Sequence, residues 1–278
     1  MKDRIEKVNS ILEGCIYKYG PIDNLTRTLE KTTIGFSSLF DFNDIYEYEY
    51  RIVHYFNSIE ERKKLLGPMT PFGRQQQIID NRLKSIKVSC FSYNANNNLM
   101  WSHYAKDHTG ICYCFEKKSI FEERNIPWGK VQYSSSIPEL PIFQGKTTEG
   151  MLHAHIDSVI LTKSIEWAYE NENRFFKCQD NNYRNYVPSS LKAIIVGRRT
   201  DDKTIKNIKK QVEEFNKKHN ATIEILYAYR NQGSYSLGID WDLNFRNSCE
   251  TNFGAGIPVR DDLNTPLVTM EVPSETNK

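Results

Sequence analysis

The stretch IKVSCFSYNANNNLMWSHYAKDHTGICYCFE, residues 86–116, decides how the chain is read. Residues 86–93 are dominated by β-branched and aromatic types, which suit a pleated strand. The asparagine-rich run at 94–98 predicts a loop. LMWSHYAKDH predicts a helix that stops at Thr109-Gly110, since glycine suits the conformation beyond a helix end. GICYCFE then predicts a second strand. Strand, helix and strand follow one another with no nucleotide-binding glycine loop between them, and neither GxGxxG nor GxxxxGK[ST] occurs anywhere.

Working outward, KDRIEKVNSILEG predicts a helix stopping at Gly14, and CIYKY a short strand ended by Gly20-Pro21. TIGFSSL and WGKVQYSS read as strands, and residues 57–86 as polar helix or loop. MLHAHIDSVILTKSIEWAYE has the pattern of one long helix, followed by extended NENRFFKC. LKAIIVGRR is a near-continuous apolar run, as expected of a buried strand. TDDKTIKNIKKQVEEFNKKHN is amphipathic, capped by Thr200 or Asp201, with Ile205, Ile208, Val212 and Phe215 on one face. ATIEILYAYR closes the pattern with another strand. Strands and helices alternate irregularly, so the expected fold is α+β, a mixed or antiparallel sheet with helices packed outside. Residues 1–245 are expected to form a single domain and residues 246–278 an irregular segment and tail.

Composition narrows the class. Lys plus Arg number 37 against 35 Asp plus Glu, too even a balance to signal a nucleic-acid or membrane binder. The N-terminus has no apolar signal-peptide run, and no stretch is long and apolar enough to span a membrane. Six cysteines in such a chain are expected to be reduced thiols, and the expected location is cytoplasmic.

Metal binding is suggested by His103, His108, Cys112 and Cys114 and fails on spacing. Two histidines five apart on a helix point about 140° from each other. Cys112 and Cys114 share a strand face, but I-C-Y-C-F is also how a packed strand reads, so no metal is expected. ENENR is more telling. If extended, it projects Glu170, Glu172 and Arg174 from one face, a costly set to bury unless something uses it. Lys18, between two tyrosines, reads on its own as a snorkelling lysine. Asn43-Asp44 with Glu47 reads on its own as a capped helix start.

Four segments, IYKY, FSSLFDFNDIYE, the CFS-to-CFE block at residues 90–116, and SIEWAYENENRFF, resemble the signature segments of domain-of-unknown-function family 2971 (DUF2971). These bacterial proteins typically carry LYKY, FNDPxE, CFS…MWxHYAxxHxG and WxxExExR. The resemblance spans roughly residues 15 to 200, and Ile45 stands where the family has proline. The order of elements also resembles ADP-ribosyltransferase folds, which bind NAD in a cleft between two small sheets. That resemblance implies NAD as substrate, and a toxin-like or defence effector. It implies a first-strand contact at Lys18 beside Tyr17, and a second at Ser92 with Trp101, His103 and Tyr104 from the following helix. It implies a catalytic carboxylate at Glu170 or Glu172, with Arg174 nearby. The usual first residue is His or Arg, and Lys18 reproduces neither geometry.

Three readings follow. The first is an ADP-ribosyltransferase-like enzyme acting on a macromolecular acceptor. The second is a non-catalytic module binding a nucleotide or NAD-like molecule in the same cleft. The third, a nucleic-acid-processing protein, rests on the basic helix at residues 203–218 and on Arg198-Arg199, charges that more often form a solvated face.

Overall fold

The residues ICYCF sit in a strand whose two faces are both buried. Ile111, Tyr113 and Phe115 pack into one core, and Cys112 and Cys114 into a second on the opposite side. Period-two alternation makes this possible, and it makes the two cysteines core residues. All six cysteines are free thiols.

The computed structural model describes residues 2–55, 60, 71–121, 126–143, 149–178, 181–231 and 235–251. Much of the polar stretch at 57–86, and the tail beyond 251, lie outside the described residues. The chain begins with α1 (Lys2–Leu12), β1 (Cys15–Gly20), α2 (Leu25–Lys31), β2 (Thr33–Gly35) and β3 (Ser37–Ser38). It continues through β4 (Arg51–Tyr55), α3 (Pro71–Ser85), β5 (Ile86–Ser92), α4 (Asn98–Tyr104) and β6 (Ile111–Glu116). Next come β7 (Trp128–Lys130), β8 (Gln132–Ser134), β9 (Glu139–Phe143), α5 (Glu149–Ile160) and β10 (Thr162–Ser164). A 3-10 turn, Ile165–Glu170, leads into β11 (Glu172–Cys178) and β12 (Tyr183–Asn185). The described chain ends with β13 (Leu191–Val196), α6 (Asp202–His219), β14 (Glu224–Arg230), β15 (Leu237–Asp240) and α7 (Leu243–Thr251).

The main sheet runs β15-β14-β13-β6-β1-β5-β11-β7, with β3 also against β5. Within this sheet, among the described residues, only β13 and β14 pair in parallel, so the sheet is mixed and the fold is α+β, as expected. The apolar faces of α2 and α6 cover one side, and α1 and α4 the other. A third core joins α3 and α5 to β5 and β11. Asp201 caps α6 by accepting from Thr204 N at 2.9 Å.

The sheet has a seam. β1 pairs with β6 over its whole length, and β5 with β11 likewise. Between β1 and β5 the ladder has a single register pair, Tyr17 with Ser92. Past it the strands part, and the side chain of Lys18 spans the gap. Its Nζ donates to Ser89 Oγ at 3.0 Å and to the Cys90 carbonyl at 3.2 Å.

Several local expectations are corrected. The long helix stops at Ile160, because Thr162–Ser164 pair with β8 and Ser164 caps the 3-10 turn. WGKVQYSS is broken at Val131 into two strands with different partners. TIGFSSL is two short strands around Phe36. FNDIYE forms a hydrogen-bonded turn rather than a helix, with Asp44 Oδ1 accepting from Tyr46 N at 3.0 Å. α4 ends at Tyr104, four residues short of His108, rather than at Thr109-Gly110. Lys106, Asp107 and His108 instead take left-handed backbone angles, φ 46°, 51° and 68°. At the end of the described chain, α7 packs Phe245 against Tyr229 with ring centroids 5.4 Å apart.

Gly110 is where α4's exit, β1 and β6 meet. A Cβ there would lie 2.5 Å from the Gly20 carbonyl and 2.8 Å from that of Ala105, both backbone atoms. Gly110→Ala is therefore expected to destabilise the fold by about 1–3 kcal/mol, read as a lower midpoint in urea unfolding with an unchanged slope.

A candidate functional site at a buried charge cluster

The seam between β1 and β5 opens into a cavity of about 190 Å³. Its walls include Tyr17, Lys18 and Tyr19 from β1, Phe91 and Ser92 from β5, and Met100 and Tyr104 from α4. At its floor stand Lys163, Glu170 and Glu172. Residues from at least five separate sequence segments, Phe42 and Asn43 included, thus face one space.

Behind the floor is a set of buried charges. Arg174 has no exposed surface. Its Nε and Nη2 donate to the two carboxylate oxygens of Glu172 at 3.0 and 2.9 Å. Its Nη1 donates to the Ile160 carbonyl at 2.5 Å, satisfying the C-terminal end of α5. Glu47, buried in the FNDIYE turn, contacts Arg174 Nη2 as well. Lys163 lies 2.6 Å from Glu170, 3.5 Å from Glu47 and 3.8 Å from Glu172. β10 brings it there through its parallel pairing with β8, whose Tyr133 hydroxyl accepts from Glu172 N at 2.9 Å.

Glu170 and Glu172 reach the cavity by different routes. Glu172 begins β11, whereas Glu170 ends the 3-10 turn and is not on the strand. Asn171 between them has φ 43°, a left-handed conformation that asparagine tolerates better than most residues. That reversal, rather than strand alternation, brings both carboxylates to Lys163. One oxygen of Glu170 accepts from Lys163 and the other from the Tyr104 hydroxyl, which also meets Asn43.

Ionised throughout, Glu47, Glu170 and Glu172 would outnumber Lys163 and Arg174 by one charge. Burial pushes the Glu170 carboxyl up, against the pull of Lys163, and does the same to Glu47. Glu172 goes the other way: burial would raise it, but Arg174 and Lys163 together hold it below its ordinary range. Desolvation would lower Lys163, but Glu172, Glu47 and Glu170 outweigh it and keep the amine protonated. Lys18 is lowered by desolvation, only partly offset by Cys90 and Glu172. Glu172 is therefore held ionised, while burial favours the protonated forms of Glu170 and Glu47.

Of the residues singled out in the sequence, Tyr17, Lys18, Ser92, Tyr104, Glu170 and Glu172 line the cavity. Arg174 stands behind it. Trp101 is wholly buried in the core, donating from Nε1 to the Ala95 carbonyl at 2.8 Å. It touches the cavity only through Tyr19, whose ring it meets edge-on at 5.3 Å. His103 points outward beside Tyr104 and Tyr169. Sequence reasoning missed Lys163, hidden inside the presumed long helix; a lysine within the apolar run VILTKSI was the available signal. Glu47 was read only as part of a cap. Among the described residues, no group of three or more His, Cys, Asp or Glu is placed to hold a metal ion.

The two carboxylates should respond oppositely to neutralisation. Glu172 is depressed, so its contribution to stability is present above the ordinary glutamate range and lost as pH falls through its folded value. Glu170 is raised, so the stability linked to its proton is present at low pH and lost as pH rises through its folded value. At about pH 8, Glu172→Gln should lower stability by about 3–5 kcal/mol, the usual cost of breaking a buried pair. Glu170→Gln should melt no lower than the wild type at that pH, with any advantage vanishing in acid. Thermal unfolding of both variants at two pH values checks this, and a large loss for Glu170→Gln at pH 8 would refute the division of roles.

No curated protein and no solved structure matches the chain. Residues 100–175, from within α4 to Phe175 of β11, match the family described as "Protein of unknown function (DUF2971)", which bears out over that span the DUF2971 resemblance seen in the sequence.

Proposed function

We propose that the protein is an ADP-ribosyltransferase-like enzyme that takes NAD as substrate, with Glu170 as the working carboxylate. The observation that carries this reading is the position of Glu170. Its carboxyl is buried and raised, and it faces a cavity at the seam of the sheet. Two further observations support it. The three positions implied by the ADP-ribosyltransferase resemblance lie side by side: Lys18 on β1, Ser92 on β5, and Glu170 at the entrance to β11, in a sheet ordered β1-β5-β11. The cavity walls are rich in aromatic rings from Tyr17, Tyr19, Phe91 and Tyr104, which suit a flat nicotinamide.

The chemistry fits these groups. When the nicotinamide–ribose bond breaks, its electron pair leaves with the ring nitrogen and the ribose carbon becomes oxocarbenium-like. An ionised Glu170 stabilises that positive charge and takes the proton of the acceptor nucleophile as the new bond to ribose forms. A carboxylate has about four acceptor sites, so Glu170 keeps capacity beyond its bonds to Lys163 and Tyr104. Glu172 and Arg174 hold the floor rigid, and Ser92 fixes the backbone of Glu170 by donating to its carbonyl at 2.6 Å.

The second reading, a nucleotide-binding module without turnover, draws on Lys18. Its amine is committed to Ser89 and Cys90 across the seam. Nicotinamide release from NAD, followed by chromatography with cell lysate supplying acceptors, separates the two. Wild-type protein should release nicotinamide and Glu170→Gln should lose at least about a hundredfold in rate, the low end of what a positioned acid–base group contributes. Thermal stabilisation by NAD without release would favour the binding module, and neither effect in folded protein would remove both readings.

The pH dependence gives a second check. Glu170 must be ionised to act, so the acid limb of kcat should lie above the ordinary glutamate range. The Tyr104 hydroxyl bond lowers the Glu170 carboxyl. Tyr104→Phe should therefore move the acid limb to still higher pH, and an unmoved or lowered limb would argue against Glu170 as the titrating group.

A further inference from the structure

We infer that a second ligand site, for a multiply charged phosphate anion, lies in the groove between α4 and the C-terminal ends of the parallel strands β13 and β14. This groove of about 680 Å³ is separate from the Glu170 cavity. α4 stands between them, with Tyr104 facing the cavity and Ser102 the groove. Positions two apart on a helix point to nearly opposite sides.

The lining is cationic. Arg198 and Arg199 follow β13, Arg230 ends β14, and no carboxylate lines the groove among the described residues. Guanidinium groups pair with phosphate oxygens through two parallel hydrogen bonds, which a lysine cannot reproduce.

The second observation is His108. It lines the groove and is only 6% exposed. Its Nε2 stands 3.1 Å from Ser102 Oγ, and its Nδ1 is buried with no hydrogen-bond partner. A buried ring nitrogen left without a partner is destabilising. Nothing loose explains it, because the backbone there is tightly held. His108 has φ 68°, its N–H donates to the Trp101 carbonyl at 3.2 Å, and its own carbonyl accepts from Arg199 N at 3.0 Å. These bonds fix the imidazole beside Arg199. With Nε2 accepting from Ser102, Nδ1 carries the proton and is left buried without an acceptor. Burial and the two neighbouring arginines keep the ring neutral, the form in which that tautomer exists. The ring of Tyr235 is 99% exposed on the rim, where it can meet a nucleotide base.

Calorimetric titration of the full chain with pyrophosphate, and separately with ADP, tests the site. A parallel NMR titration follows the His108 ring protons, assigned with His108→Asn. Pyrophosphate should bind, shift the His108 resonance, and bind about tenfold more weakly in the exposed-site variant Arg199→Gln. Arg199→Gln with Arg230→Gln should lose more. Tighter binding of ADP that falls in Tyr235→Ala would identify a nucleotide; equal binding of both would identify the phosphate alone, and either supports the site. No binding at millimolar pyrophosphate, binding heat without a His108 shift, or undiminished binding in the double variant would overturn it.

Discussion

A guanidinium taken wholly out of water needs anions on the donors that face inward, and Arg174 obtains them from two places in the chain. Glu172, two residues away, takes a paired contact with its Nε and Nη2, and Glu47 joins from the FNDIYE turn. Its Nη1 closes the end of α5. Removing any partner would leave an uncompensated buried charge, so the turn, the end of the helix and the start of β11 are fixed relative to one another. Lys163 extends the cluster to Glu170 and therefore to the cavity. The rigidity of the site descends from this one side chain.

The division of labour between the two glutamates follows from the same arrangement. Both are almost fully buried, yet their surroundings push them apart. Glu172 has both oxygens on a guanidinium, which favours the ionised form. Glu170 has one amine and one neutral phenol, too little to offset burial. Two carboxylates whose environments separate their protonation are the usual mark of one group that holds charge and one that moves a proton. The seam adds access: β1 and β5 share one register pair and then part, so a polar floor is reached without opening a packed core.

Much of the fold was legible in the sequence. The strands at 86–92, 111–116, 191–196 and 224–230 and the helices at 2–12 and 202–219 follow from local pattern, which also narrowed the α6 cap to Thr200 or Asp201. These are segments where periodicity and burial agree. Several of the misreadings fall between residues 128 and 171, where short strands pair with non-sequential partners and a left-handed asparagine interrupts alternation, and others at TIGFSSL, the FNDIYE turn and the end of α4. Lys163 was read as part of a helix because its strand pairing is made with β8, some thirty residues away in sequence.

By itself, the sequence determined that this is an α+β chain with an evenly charged composition, that Glu172 and Arg174 share one strand face, and that aromatic residues accompany Lys18 and Ser92. Local chemistry suffices for such statements, because propensity, period and residue type act over a few positions. Tertiary structure alone decided that Trp101 fills a core rather than a cleft wall, and that His103 faces outward. It also decided that Lys163 and Glu47 complete the charge cluster and that burial raises Glu170 while Glu172 is held ionised. Each of these depends on what arrives from distant segments to desolvate a group or pair with it, and burial and pairing are properties of three-dimensional neighbours.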